Sequence, residues 1–272
     1  MDILINSRYK IIDKIAQGSF GYVYRAINIR TNEYVAIKVE KIADKLMLLK
    51  NETIIYNYLK NEPGIPAVKW YGKDDTNYYM VLELLGKSLQ HLKNESGTFS
   101  LKMVLQTGIQ MLDLLKSLHA KGLVHRDIKP DNILIGTTNE NYKERHLYLV
   151  DFGLCKPFVE RDSGTHIVLK KTAGMIGTSN YASINAHNHF ELSRRDDLES
   201  MFYVLTYLLV GSHEWQNVTK EVLDVRSVRC IPEMQEMRTL HVLVECASSS
   251  MYFPAAQFLH TDLLVSSSYF PF

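Results

Sequence analysis

Between residues 9 and 39 the chain alternates apolar and polar positions in short, β-branched and aromatic runs. Tyr22-Val23-Tyr24 and Tyr34-Val35-Ala36-Ile37-Lys38-Val39 are broken by Gly18, Gly21 and Thr31-Asn32. Period-two runs cut by turn formers predict strands. From 44 to 60 the spacing of Leu46, Leu49, Ile54, Ile55, Tyr58 and Leu59 predicts an amphipathic helix that stops before Pro63-Gly64. Strand character resumes over residues 69–72 and 78–84. After Gly86 the pattern changes. Val104, Leu105, Ile109, Met111, Leu112, Leu115 and Leu118 predict a long buried helix over 101–120, ending at Lys121-Gly122. Residues 195–210 start acidic and become apolar on every face, as expected of a helix at the centre of a larger lobe. The order predicts an α+β fold in two lobes: a small β-rich lobe over about 9–85 and a mainly helical one over about 86–216.

Composition narrows this little. Of 272 residues, 46% are hydrophobic and 22% charged, ordinary for a soluble globular protein, and the formal charge of +1 argues against a bulk partner such as nucleic acid or an anionic membrane. The longest apolar run, 201–210, is too short to span a bilayer. The start, Met1-Asp2-Ile3-Leu4-Ile5, lacks the basic flank and long apolar core of a signal peptide. Cys155, Cys230 and Cys246 are odd in number and without metal-type spacing, which fits a reducing compartment. A monomer in the cytoplasm, with the nucleus also open, is the expectation.

The chemistry is concentrated in a few stretches. Ala16-Gln17-Gly18-Ser19-Phe20-Gly21-Tyr22-Val23 is a glycine-containing turn between predicted strands, Lys38 lies twenty residues past Gly18 among apolar neighbours, and Glu52 falls on the predicted helix. His125-Arg126-Asp127-Ile128-Lys129-Pro130-Asp131-Asn132 is followed nineteen residues later by Asp151-Phe152-Gly153. Each alone reads as a hairpin, a solvated charge or a polar loop. The whole set in register does not. His187 and His189 have no Cys or carboxylate in register and read as surface residues. A Gly-x-x-x-x-Gly-Lys-Ser/Thr phosphate loop is absent.

This set resembles the eukaryotic protein kinases. Gly64-Ile65-Pro66, Trp70-Tyr71-Gly72, Glu83-Leu84-Leu85-Gly86, Tyr181-Ala182-Ser183-Ile184-Asn185 and Ser193-Arg194-Arg195-Asp196-Asp197-Leu198-Glu199-Ser200 resemble the casein kinase 1 family, over roughly residues 9–216. The resemblance implies a bilobal fold with ATP and magnesium in the crevice and protein Ser/Thr hydroxyls as acceptors. It implies that Asp127 orients the hydroxyl and takes its proton, and that Lys129 neutralises the migrating phosphoryl oxygens. Asn132 and Asp151 would hold magnesium. Lys38, paired with Glu52, would grip the phosphates under a loop that includes Ala16, Gly18, Ser19 and Gly21. Val23, Ala36 and Leu82 belong to the nucleotide site, with backbone groups near Glu83 and Leu85 meeting the adenine edge. Lys129 and Thr178 match the Ser/Thr pattern, and Asp197 would tether the catalytic loop.

There are departures. Ala16 stands at the first glycine of the loop, and Asn180 replaces an arginine before the Tyr-Ala-Ser-Ile run. Lys87 and His91 replace a proline and an acidic residue. Acidic or primed substrates, a family preference, would need Lys156, Lys170 and Lys171 to serve as the anion site, and Arg126 to pair with a phosphorylated residue such as Thr172 is a further option. Past Trp215-Gln216 nothing resembles the family, so an incomplete larger lobe with a divergent tail over 217–272 is expected. Either a replacement packing or an altered frame or splice would explain it. The alternative function is a kinase-like binding or decoy module without catalysis.

Overall fold

The computed structural model describes residues 4–18, 21–44, 48–137, 146–160 and 162–212, and the structural statements below concern these. Ser19, Leu46, Trp215-Gln216, Cys230, Cys246 and the 217–272 tail lie outside them.

The small lobe is an antiparallel sheet of six strands: β1 (Leu4–Ile5), β2 (Tyr9–Gly18), β3 (Gly21–Asn28), β4 (Glu33–Lys41), β5 (Val68–Lys73) and β6 (Asn77–Glu83), in the order β1-β2-β3-β4-β6-β5. Central β4 shows why its sequence alternates. Val35 and Ile37 are fully buried and pack with Ala26, Val81 and Tyr9 on one face. Ala36 and Lys38, one residue out of phase, must face the other side. Cross-strand partners Val23↔Lys38, Ala36↔Leu82 and Lys38↔Met80 share that second face, which looks into the crevice between the lobes. In β2 the alternation is broken by register shifts between Ile11 and Asp13 and between Lys14 and Ala16, and Ile11, Ile12 and Ile15 are all exposed.

Helix α1 (Leu48–Tyr58) lies against this sheet, preceded by a 3-10 turn at Ile42–Asp44. Its first amides are held by a buried carboxylate from β4: Leu48 N–H and Leu49 N–H donate to Glu40 at 3.2 and 2.5 Å. The strand that carries Lys38 therefore also anchors the helix that carries Glu52.

The second lobe is mainly helical. After α2 (Leu89–Ser96) comes α3 (Leu101–Ala120), then the short strands β7 (Leu123–Val124), β8 (Ile133–Ile135), β9 (Leu147–Leu149) and β10 (Lys156–Pro157), then α4 (Ile184–His187) and α5 (Arg194–Val210). Helices α3 and α5 pack together, and Gly108 sets their approach, because a Cβ there would stand 3.1 Å from Leu205 Cδ1. In the helix interior glycine costs about 1 kcal/mol against alanine, so the close approach is the reason for it. One apolar core runs from Leu49, Tyr56 and Met80 in the small lobe through Phe152 to Met201 and Leu208 in α5. No helix among the described residues is long and apolar enough to cross a membrane.

Two expectations shift. Helix α2 was not foreseen, because Leu89 and Leu92 are its only apolar positions. It is held by Leu89 in the core and by two polar devices, the Ser88 cap on His91 N–H and Gln90, which donates to the Tyr207 hydroxyl at 2.9 Å. The helix expected from residue 44 is described from Leu48, with Ile42–Asp44 taking the tighter turn.

Candidate active site

The upper wall of the crevice comes from strand geometry. The β2–β3 hairpin closes at Gly18↔Gly21. At Gly21 the backbone φ is +151° and a Cβ would stand 2.0 Å from the Val39 carbonyl oxygen, so only glycine fits this crossing over β4. Ala16, opposite Val23, is exposed in extended backbone, a conformation that accepts its methyl group without strain. At the back of the crevice Leu82 is buried, and Glu83 and Leu85 are half-buried where β6 gives way to the inter-lobe connection.

Lys38 enters from β4 and Glu52 from α1. The Lys38 ammonium lies 3.0 and 2.8 Å from the two Glu52 oxygens and 2.7 Å from Asp151 Oδ1. Burial pulls the ammonium down, but the Glu52 and Asp151 carboxylates outweigh it and the net shift is upward, so it stays charged. Burial is first in pushing the Glu52 carboxyl up to about 7, with the Asp151 charge adding and Lys38 opposing. Burial alone would raise Asp151 as well, yet Lys38, by charge and hydrogen bond, holds it below the usual carboxylate range. Asp151 is thus an ionised carboxylate with a left-handed backbone (φ 66°, ψ 71°).

The lower wall is the loop from His125 to Asn132. Asp127 is the hub. Its Oδ1 accepts from Thr178 N–H at 2.9 Å and from Thr178 Oγ1 at 2.7 Å, and its Oδ2 accepts from Lys129 Nζ at 2.7 Å. Lys129 also donates to Thr178 Oγ1 at 3.1 Å, closing a triangle. Asn132 Nδ2 donates to the Asp127 carbonyl at 2.9 Å and to its Oδ2 at 3.3 Å. With that nitrogen committed, the amide oxygen is the atom left to meet a cation. Asn132 and Asp151 therefore offer oxygen donors from two loops, a set suited to a hard divalent ion that keeps water and phosphate ligands.

The loop is held from below by Asp197 at the start of α5. This carboxylate, 1% exposed, accepts from His125 N–H at 2.9 Å, from Arg126 N–H at 2.8 Å and meets His119 Nε2 at 2.9 Å. Burial would raise it, but the hydrogen bonds from His119 and the Arg126 amide leave it lowered. Arg126 has φ 68°, its Nε donates to the Leu154 carbonyl at 2.7 Å, and Nη1 lies 3.9 Å from Glu191. Thr172 hydroxyl donates elsewhere, to the Gly174 carbonyl at 3.0 Å.

The structure brings together Lys38, Glu52 and Asp151 in one cluster and Asp127, Lys129, Asn132 and Thr178 in another. Val23, Ala36 and Leu82 share the sheet face above, and Ser19 lies outside the described residues. Of the cations considered for an anion site, Lys156 is paired with Glu191 at 2.9 Å and Lys171 donates to the Asn188 carbonyl at 2.8 Å. Sequence reasoning missed Tyr56, His119 and Glu191. Tyr56 was accessible, since it lies one helical turn beyond Glu52. Nothing local marks Glu191, which is buried only by the tertiary fold. A family model described as the protein kinase domain matches residues 9–264. Those residues make up nearly the whole chain and include both clusters, and the chain belongs to the protein kinase domain family.

Proposed function

We propose that the chain is a Ser/Thr protein kinase of casein kinase 1 type, which moves the γ-phosphoryl group of ATP to protein hydroxyls with magnesium. Membership of the family gives phosphotransfer from ATP. The finer reading is supported above all by the triangle of Asp127, Lys129 and Thr178, in which a carboxylate and an ammonium are fixed 2.7 Å apart by a threonine hydroxyl.

In this mechanism Asp127 accepts the proton of the incoming Ser or Thr hydroxyl as its oxygen bonds to the γ-phosphorus. The bond from that phosphorus to the bridging oxygen breaks, and ADP leaves with the electron pair. Lys129, already beside Asp127, is placed to offset charge on the phosphoryl oxygens as they transfer. Lys38 steadies the phosphates while Glu52 holds its position. Asn132 and Asp151 would hold magnesium, which would supply charge neutralisation on the phosphates. Val23, Ala36 and Leu82 give the apolar faces for a purine, with main-chain groups of Glu83 and Leu85 at its edge. The acceptors are protein hydroxyls. A preference for acidic surroundings would depend on Lys170 and on release of Lys156 and Lys171 from their present partners.

Incubation with radiolabelled ATP, magnesium and casein tests this reading. Label on serine and threonine is expected. Label on tyrosine alone, or none above an Asp127→Asn control, would end it.

The raised Glu52 carboxyl gives a pH signature. Its ion pair with Lys38 needs the ionised form, so turnover should rise as pH passes from 6 to 8 through about 7. Glu52→Gln should be slow and flat across the same window. In stability the sign reverses. A folded pKa above the ordinary 4.5 favours the folded state below pH 4.5, and this contribution is lost as pH climbs towards about 7. Rate profiles and thermal midpoints at matched pH check both signs.

A further inference from the structure

Helix α1 touches the Asp-Phe-Gly turn twice, and only one contact belongs to the Lys38 cluster. Glu52 reaches the turn through Lys38, which bridges its carboxylate to that of Asp151. One helical turn on, Tyr56 is 2% exposed and its hydroxyl accepts from the Asp151 N–H at 3.2 Å. The turn is therefore reached by two side chains four residues apart on one helix face, Glu52 through Lys38 and Tyr56 directly at the Asp151 amide. The Tyr56 ring meets Phe152 edge-on, with centroids 4.9 Å apart and planes at 87°, and Phe152 in turn meets His125 at 5.2 Å.

The hydroxyl matters because of what the Asp151 backbone is doing. A non-glycine residue in the left-handed region costs on the order of 1–3 kcal/mol and persists only when its surroundings over-determine it. At φ 66°, Asp151 directs its amide at Tyr56 while its carboxylate meets Lys38. Without the hydroxyl that amide would lose its partner inside the protein, where an unpaired donor is costly. The phenol is buried and held neutral, so it stays an uncharged partner.

We propose that Tyr56 is a positioning residue whose hydroxyl holds the Asp151 backbone in the left-handed conformation that presents its carboxylate to magnesium. This rests on the kinase reading of Asp151 and adds to it a residue with no direct contact with the phosphates. It also makes the placement of α1 and the geometry of the metal-holding turn a single variable. If α1 swings away, the Asp151 amide loses Tyr56, and the Lys38 that meets its carboxylate loses Glu52.

Tyr56→Phe removes only the hydroxyl and leaves the ring against Phe152, whereas Tyr56→Leu removes the ring as well. Both are measured as full-length protein by amide hydrogen exchange and by calorimetric titration of ATP at graded magnesium. In Tyr56→Phe, exchange at Asp151 and Phe152 should rise about fivefold or more, the size expected for one lost hydrogen bond. The magnesium concentration for half-maximal ATP binding should rise severalfold, with the thermal midpoint lower by a few degrees. Unchanged exchange and unchanged magnesium dependence in Tyr56→Phe overturn the proposal, and shifts confined to Tyr56→Leu overturn it too, because then ring packing alone acts. Neither readout needs a phosphoryl acceptor. A chain that shows these shifts but labels no casein refutes the Ser/Thr kinase reading and leaves the role of Tyr56 standing.

Discussion

Asp127→Asn should reduce phosphoryl transfer to casein by about 10²–10⁴-fold, the range for a lost general base, while ATP binding stays close to that of the parent chain. Asparagine has the shape of aspartate and can keep one oxygen for Thr178, which contacts Asp127 Oδ1 at 2.7 Å through its hydroxyl and at 2.9 Å through its amide. What it lacks is a proton-accepting carboxylate and the charge facing Lys129 at 2.7 Å. Its NH₂ group would meet the ammonium as a second donor, so a modest fall in thermal midpoint is expected as well. Lys38, Glu52 and Asp151 sit in the other cluster and are untouched, which is why binding and transfer should separate. Single-turnover transfer and nucleotide titration on the same preparation check this. Retained transfer would mean that the proton leaves by another route.

The second large effect is on stability. Asp197→Ala should destabilise the fold by about 3–5 kcal/mol, the cost of removing one partner from a buried charged network. The carboxylate is nearly inaccessible and satisfies the His125 and Arg126 amides together with the His119 ring. Alanine leaves all three facing a gap, and each unpaired buried donor costs about 1–3 kcal/mol. For a chain of this size a loss of 1 kcal/mol lowers the thermal midpoint by about 2–4 °C, so the shift should exceed that of any single surface change. Because the two amides belong to the loop that carries Asp127, transfer should also fall at temperatures where the variant is still folded. Differential scanning calorimetry beside a transfer assay resolves the two. A midpoint within 2 °C of the parent, a threshold set by that same scale, would show that water or a neighbour replaces the carboxylate.

How much of this was legible in the sequence depended on whether local pattern or tertiary context decides each element. Helix α3 was read at the bounds observed, Leu101–Ala120, because its apolar positions carry the helical period without interruption. Strands β5 and β6 were found to within a residue or two for the corresponding reason. Helix α2 was invisible, since only Leu89 and Leu92 face the core and a cap and Gln90 on Tyr207 do the rest, which leaves no apolar stripe to read. The bulges of β2 could not be read, because a register shift leaves no mark in composition.

The site divided in the same way. Asp127, Lys129, Asn132 and Asp151 stood out as contiguous motifs, and the Glu52 partner of Lys38 followed from the resemblance to the kinases. Arg126, for which a phosphorylated loop residue was one option beside activity without that step, bonds the Leu154 carbonyl and stands beside Glu191. Glu191 and His119 act through distant partners, Lys156 and Asp197, that no spacing rule connects. Contacts made across long sequence separations are the ones that local reading misses.

On β4 two jobs are written in opposite phase. Odd-numbered Val35 and Ile37 fill the sheet's inner side, while even-numbered Ala36 and Lys38 serve the crevice. A single inserted or deleted residue in that run would therefore exchange the two sets, pressing an ammonium into oil and turning an isoleucine towards the phosphates. The strand thus carries a constraint on its count of residues that is separate from the constraint on any one side chain.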